Sequence, residues 1–240
     1  MAVDHPSSPL FRLEGVEAVR DGRRVLGPID LAIPRDGPVV VAGPSGSGKS
    51  SLLRLLNRLD APSAGAIELD GADLATIDPM LLRRRVAMVF QRPVVFEGTV
   101  LGNLREGAAD LTEDDARRLL GRVGLDGALL DRPARDLSGG EAQRMALARS
   151  LTTDPDVVLF DEPTSSLDPT NAARIEQLAR SLQGDGVPVI WVTHDLGQLE
   201  RLATWVVVVI GGAIAQAGPA ADVLARPTAP VAAFLSGDAP

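Results

Sequence analysis

Cysteine and tyrosine are both absent from the 240 residues of this chain. Without cysteine there is no disulfide framework and no thiolate metal site, which fits a reducing compartment. Positive charge is scarce in balance, with a formal net charge of −8. That argues against a general nucleic-acid binder, whose phosphate contacts need clustered cations. Met1 to Leu10 holds no apolar h-region, so a secretory signal is not expected and the chain is expected to stay in the cytoplasm. Formal charge is missing altogether from Leu202 to Ala221, about the length of a membrane span. The residues argue for a buried hairpin instead: Trp205 to Ile210 is β-branched, Gly211-Gly212 is a two-residue turn, and Ala213 to Pro219 is the return strand.

Lysine is rarer still. Of 24 cationic residues, only Lys49 is not arginine, and it falls within Gly43-Pro44-Ser45-Gly46-Ser47-Gly48-Lys49-Ser50. This stretch fits the phosphate-loop pattern G-x-x-x-x-G-K-[ST] at every fixed position. Upstream, Pro38 to Ala42 reads as a buried parallel strand; downstream, Ser51 to Arg58 has the spacing of an amphipathic helix. Glycines allow successive N–H groups to turn toward one centre, and the new helix aims its positive dipole end at the same place. That centre suits a di- or triphosphate. Lys49 is expected to bridge the β and γ phosphates, with the Ser50 hydroxyl on Mg²⁺.

With 45% hydrophobic and 23% charged residues, the chain has the composition of one large globular domain, or a core with a subdomain. Strands are expected over Leu13–Val19 and Arg24–Leu31, joined at Asp21-Gly22, and again over Ala66–Leu69 before Asp70-Gly71. A helix over Asp78–Arg85 leads to the strand Val86–Phe90, closed by Gln91. From Thr99 to Gly127 the pattern is helical, with Leu101, Leu104, Ala116, Leu119, Leu120 and Val123 as its apolar stripe. After Asp154-Pro155, strands at Val157–Phe160 and Val187–Val192 alternate with helices at Asn171–Gln183 and Leu196–Ala203. Such alternation predicts an α/β fold with a mainly parallel sheet, and the Pro/Ala-rich tail is expected to fray. The strand ending in Phe160 runs into Asp161 and Glu162, placing two carboxylates at the edge where open α/β sheets bind ligands. Asp161 is the candidate Mg²⁺ ligand, directly or through water, and Glu162 the candidate general base for an attacking water.

A third constellation, Leu137-Ser138-Gly139-Gly140-Glu141-Ala142-Gln143, opens a helical run through Arg149. A Ser-Gly-Gly turn at a helix start is a second anion-seeking N-terminus. With this stretch the sequence resembles the ATP-binding subunit of an ABC transporter, over roughly Leu13 to Leu235. The resemblance implies that Leu137, Ser138, Gly139, Gly140, Glu141 and Gln143 form the signature that completes a partner subunit's ATP site. It implies that Gln91 is the Q-loop glutamine touching Mg²⁺ or the water, that Asp168 in Ser165-Ser166-Leu167-Asp168 reaches across a dimer, and that His194 contacts the γ-phosphate. It also implies ATP and Mg²⁺ as cofactors, Ser51 beside the phosphates, and Ser50, Gln91 and Asp161 around the metal. The implied fold is a P-loop NTPase (RecA-like) core with an N-terminal antiparallel β-subdomain and a small helical subdomain. The expected domain limits are a flexible N-terminus over 1–10 and an ATP-binding domain over 11–238, its helical subdomain at about 92–143.

Where the family places an adenine-stacking aromatic, this chain has Arg20 or Val19; a guanidinium can also stack on a base. Asp36-Gly37 replaces the usual Gly-Glu, and Ser51 a commoner threonine. The implied partners are a homodimer or pair of nucleotide-binding subunits and separate integral membrane subunits that the Val94–Val100 stretch would face, with no nucleic acid. The implied location is cytoplasmic, peripheral on the inner face of the cell membrane. The wording of the region is similar to that of transporters of small solutes such as phosphate or a metal. A soluble ABC ATPase of repair, assembly or translation is the alternative, although such relatives tend to carry two cassettes or a long coiled coil. A small-molecule P-loop kinase would leave the signature and Asp168 without a purpose.

Overall fold

The structure, a computed structural model, describes residues 9–237. The expected flexible N-terminus lies outside the described residues over 1–8, and Leu10 is fully buried. Two compact units make up the chain: one drawn from the sequence up to Arg83 and from Pro188 onward, the other Arg84–Val187.

In chain order the elements are β1 Phe11–Arg20, β2 Arg23–Ile33, β3 Val39–Ala42, α1 Lys49–Leu56, β4 Ala64–Leu69, β5 Ala72–Asp73 and α2 Pro79–Arg85. The second unit continues with β6 Val86–Val89, α3 Val100–Arg105, α4 Glu113–Arg122, α5 Gly139–Leu151, β7 Val157–Asp161 and α6 Pro169–Gly184. The chain then returns to the first unit with β8 Val189–Thr193, α7 Leu196–Leu202, β9 Trp205–Ile210, β10 Ala213–Pro219, α8 Ala220–Ala225 and α9 Ala229–Leu235.

The first unit contains an antiparallel sheet in the order β2-β1-β4-β5, which is the expected N-terminal β-subdomain. Phe11, Leu13, Val16 and Ala18 alternate into its core, and the register shift between Leu13 and Val16 is a bulge around Gly15 that preserves the inward phase. Beside it, β3 pairs parallel with β8 on one side and β9 on the other. All four β3 residues are buried, as an interior parallel strand with covered faces requires. The uncharged Leu202–Ala221 run contains the predicted hairpin, but the expected burial holds only for β9, since β10 is mostly half-buried. β9 and β10 pair antiparallel, and Gly211 and Gly212 both take positive φ, the backbone of a two-residue turn that follows the strand twist.

In the second unit β6 and β7 pair parallel, and α5 packs against α3, α4 and β6. The single helical stretch expected from Thr99 to Gly127 is two helices. Thr99 caps α3, and Thr112 caps α4 by accepting from the Asp115 N–H at 3.2 Å. Glu113, Asp114 and Asp115 crowd the first turn of α4, where the dipole favours them. Apolar spacing runs through both helices, so periodicity alone conceals the break. The tail also differs from expectation: α9 reaches Leu235 with Val231 and Phe234 buried, because packing of two apolar side chains outweighs an alanine- and proline-rich composition.

Candidate functional site

Within the first unit the phosphate loop joins buried β3 to α1. Gly48 has φ +106° and caps the helix. A Cβ there would come within 2.7 Å of Leu26 and 2.9 Å of the Val25 carbonyl, so β2 lies against the loop and only glycine fits. The β9–β10 turn holds the other side, with Gly212 N–H donating to the Ser47 carbonyl at 3.0 Å. Lys49 is 4% exposed, and its ammonium donates to the Gly43 and Pro44 carbonyls, each at 2.8 Å. A single charge is thus folded back over the loop's mouth, where phosphate oxygens would meet it. Ser47 Oγ is buried with no hydrogen-bond partner among the described residues, and a Cβ at Gly46 would meet open space. An orphaned donor beside an open glycine fits an anionic ligand. Ser50 is exposed and Ser51 half-buried at the start of α1.

At the end of β8, His194 is exposed, as is Asp195 after it, while Thr193 before it is buried. Asp195 caps α7 through the Gly197 N–H at 2.8 Å, and Thr193 Oγ1 donates to Gln198 Oε1 at 2.8 Å. These bonds fix the turn carrying the histidine. At the tip of the β1–β2 hairpin Val19 is 51% exposed and pairs with Arg24, while Arg20 pairs with Arg23.

Within the second unit, β7 carries four buried residues out to half-buried Asp161. Glu162 follows with φ +44°, a left-handed backbone that costs a non-glycine residue about 1–2 kcal/mol. Strain of this kind at a carboxylate marks an orientation imposed by its surroundings. The chain turns there, with Ser165 N–H donating to the Glu162 carbonyl at 3.2 Å. Exposed Gln91 donates from Nε2 to Ser165 Oγ at 3.0 Å, leaving its amide oxygen as the end suited to a cation. Asp161 offers carboxylate oxygens and Gln91 an amide oxygen, hard donors of the kind Mg²⁺ takes alongside phosphate and water; in the first unit the Ser50 hydroxyl is a donor of the same kind.

Asp168 caps α6, accepting from the Thr170 and Asn171 N–H groups at 3.0 Å each. The Asn171 N–H, then its side-chain amide, hold the Asp168 carboxyl below the ordinary aspartate range. Ser138 caps α5 in a reciprocal box: Glu141 Oε2 accepts from Ser138 N–H at 2.8 Å and Oγ at 2.7 Å. The Ser138 hydroxyl and then its N–H push the Glu141 carboxyl below its usual value. Leu137 is half-buried, Gly139 exposed and Gly140 buried. Gln143 is 1% exposed and donates to the Phe90 carbonyl at 2.9 Å, which ties α5 to the residue preceding Gln91.

Sequence reasoning missed one polar cluster in this unit. Asn103, fully buried, accepts from Phe96 N–H at 2.8 Å and donates to the Phe96 and Thr99 carbonyls at 3.0 Å each. Arg149 of α5 stacks over the Phe96 ring at 4.7 Å from its centroid. An asparagine on the inward face of a predicted helix was the only signal. Val94, Val95 and Phe96 are 48%, 36% and 44% exposed, so this cluster fixes the backbone of an apolar surface.

Comparison with known proteins gives one consistent answer. A family model described as "ABC transporter" matches residues 26–165. The chain is 43% identical over 223 residues to Protein STAR1 of Oryza sativa, covering 90% of this chain and 64% of that protein. It is 39% identical to Phosphate import ATP-binding protein PstB 2 of Natronomonas pharaonis, covering 93% and 85%. Nickel import ATP-binding protein NikO of Rhodobacter capsulatus is 40% identical, with 91% and 92% covered. Among solved structures, cbiO1 of Clostridium perfringens, part of the ABC transporter complex cbiONQ, superposes with a TM-score of 0.81 at 30% identity, covering 92% of each chain. A bacterial Atm1-family ABC exporter reaches 0.84 at 26% identity, but this chain spans only 43% of its length.

Proposed function

Because the chain belongs to the ABC transporter family as an ATP-binding, ATP-hydrolysing subunit, we propose that it works as a pair on the cytoplasmic face of a membrane. In this reading separate transmembrane subunits carry the solute. Among the described residues no helix is long and apolar enough to cross a membrane, so this chain would supply power rather than the pathway. The solute proposed is a small inorganic ion, phosphate or a metal, as named for the PstB 2 and NikO relatives.

The observation that carries the paired reading is the Ser138–Glu141 capping box, which opens a second helix N-terminus in addition to that of the phosphate loop. Such an end attracts anionic oxygens, and one chain has no need of two for one triphosphate. Lys49 and the loop N–H groups would bind the phosphates of ATP, with Arg20 or Val19 against the base. Mg²⁺ would supply charge neutralisation at the β and γ phosphates, held by Ser50, Asp161 and Gln91. Glu162 would take the proton from the attacking water, and His194 would steady the γ-phosphate. Ser138, its neighbours and Asp168 would serve the partner's ATP.

The test is ATPase activity against protein concentration for wild type and Ser138→Arg. Activity rising more steeply than linearly, and lost in the variant, is expected. A linear rate untouched by the variant would mean that each chain hydrolyses alone.

A further inference from the structure

The second unit contains a side-chain relay that links two of these motifs. Asn171, half-buried in the first turn of α6, makes three directed contacts. Its Oδ1 accepts from Arg144 Nη1 of α5 at 2.9 Å. Its Nδ2 donates to Asp168 Oδ2 at 2.5 Å, and its backbone N–H donates to Asp168 Oδ1 at 3.0 Å. The chemistry fixes the orientation of this amide, since a guanidinium needs an acceptor and a carboxylate a donor. The same amide lies flush on the signature turn: a Cβ at Gly140 would come within 2.7 Å of Asn171 Cγ.

Arg144 is itself a constrained anchor. It is 6% exposed, and its Nε has no hydrogen-bond partner among the described residues. Burial, then the nearby Arg174 charge, pushes its guanidinium below the ordinary arginine range. A buried cation with few partners strengthens each hydrogen bond it does make. The Asn171 amide therefore joins a fixed point on the signature helix to the one carboxylate that caps α6.

We propose that Asn171 is a positioning residue for ATP hydrolysis, locking the Asp168 carboxylate to the signature helix so that both meet a second copy's ATP as one rigid block. This rests on the paired reading above. Asn171 touches no nucleotide in this scheme and acts through Asp168 and Gly140. Its loss would leave the chain's own phosphate loop able to bind ATP while mispresenting the surface offered to the partner.

The experiment uses the full chain as wild type, Asn171→Ala and Asn171→Asp. The aspartate keeps an acceptor for Arg144 but sets a carboxylate against Asp168. Four quantities are read: thermal midpoint, ATP dissociation constant at dilute protein, turnover at saturating ATP, and the dependence of rate on protein concentration. Turnover should fall about ten- to a hundredfold in both variants, the range commanded by one hydrogen bond to a charged group. The dilute-chain ATP dissociation constant should stay within about twofold of wild type, because uniform binding is untouched. Unchanged turnover in both variants overturns the proposal. So does recovery of turnover in Asn171→Asp, which would leave only the Arg144 contact important, and so does parallel loss of folding and ATP affinity. A wild-type rate linear in protein concentration would instead sink the paired reading beneath it.

Discussion

Glu162 is the residue at which backbone and chemistry meet. Its left-handed φ of +44° turns the chain immediately after a buried strand, so its carboxyl direction is set by the fold rather than by rotamer preference. Glu162→Gln is nearly isosteric and leaves that backbone alone. It is expected to lower turnover by about 10²- to 10⁴-fold, the usual contribution of a general base, with ATP binding retained in an equilibrium titration. Retained turnover would remove Glu162 from the role.

Glu141 gives a pH-dependent counterpart. Its carboxyl is held low by the Ser138 hydroxyl and N–H, so the charged form stabilises the folded state. The folded value lies below the ordinary glutamate value of about 4.3. The contribution is therefore complete above that pH and disappears as pH falls through the lower, folded value. Glu141→Gln should melt at a lower temperature than wild type near neutrality, and the gap should close as melting is followed from pH 5 into stronger acid. A gap independent of pH would show that the box acts without its charge.

On the scale of elements, the caps decide where helices begin. Ser138, Asp168, Asp195, Thr99 and Thr112 each satisfy a helix N-terminus, and three of these are family motif positions or their immediate neighbours. The segment Val94–Thr99 has no such regular structure and is held by Asn103 instead. Asn103→Ala would orphan the Phe96 N–H and carbonyl that this amide satisfies. The expected cost is about 1–3 kcal/mol of unfolding free energy, the penalty for stranded buried polar groups, read by denaturant titration. A change below about 0.5 kcal/mol, the level of ordinary surface substitutions, would mean that the loop re-satisfies itself.

For the whole molecule, binding and turnover are separable. ATP that binds the native chain stabilises it by mass action, by about 2.7 kcal/mol at a hundredfold excess over the dissociation constant, and so raises its melting temperature. In dilute solution with Mg²⁺, wild type and Ser138→Arg should show this shift alike, whereas Lys49→Ala should lose it. Loss of the shift in Ser138→Arg would place the signature in the chain's own nucleotide pocket and contradict its assignment to a partner.

What the sequence determined by itself was every feature with a short-range cause. The phosphate loop, the β-branched strands, the Gly211-Gly212 hairpin and the Ser138–Glu141 start are legible because each depends on residues within a few positions of one another, through dihedral freedom, capping and period. The β1–β2 hairpin followed from adjacent strands and the Asp21-Gly22 turn, whereas the antiparallel β-subdomain as a whole was implied by the family resemblance. Tertiary structure decided the rest. Continuous apolar spacing concealed the break between α3 and α4 and the helix at the tail, because packing selects among segments that periodicity leaves equivalent. The positive φ of Glu162, the Asn103 clamp and the Arg144–Asn171–Asp168 relay join residues or impose conformations that no local pattern records. In the relay Arg144 and Asn171 lie 27 positions apart in the chain, and only folding brings a buried guanidinium to the amide that orients Asp168.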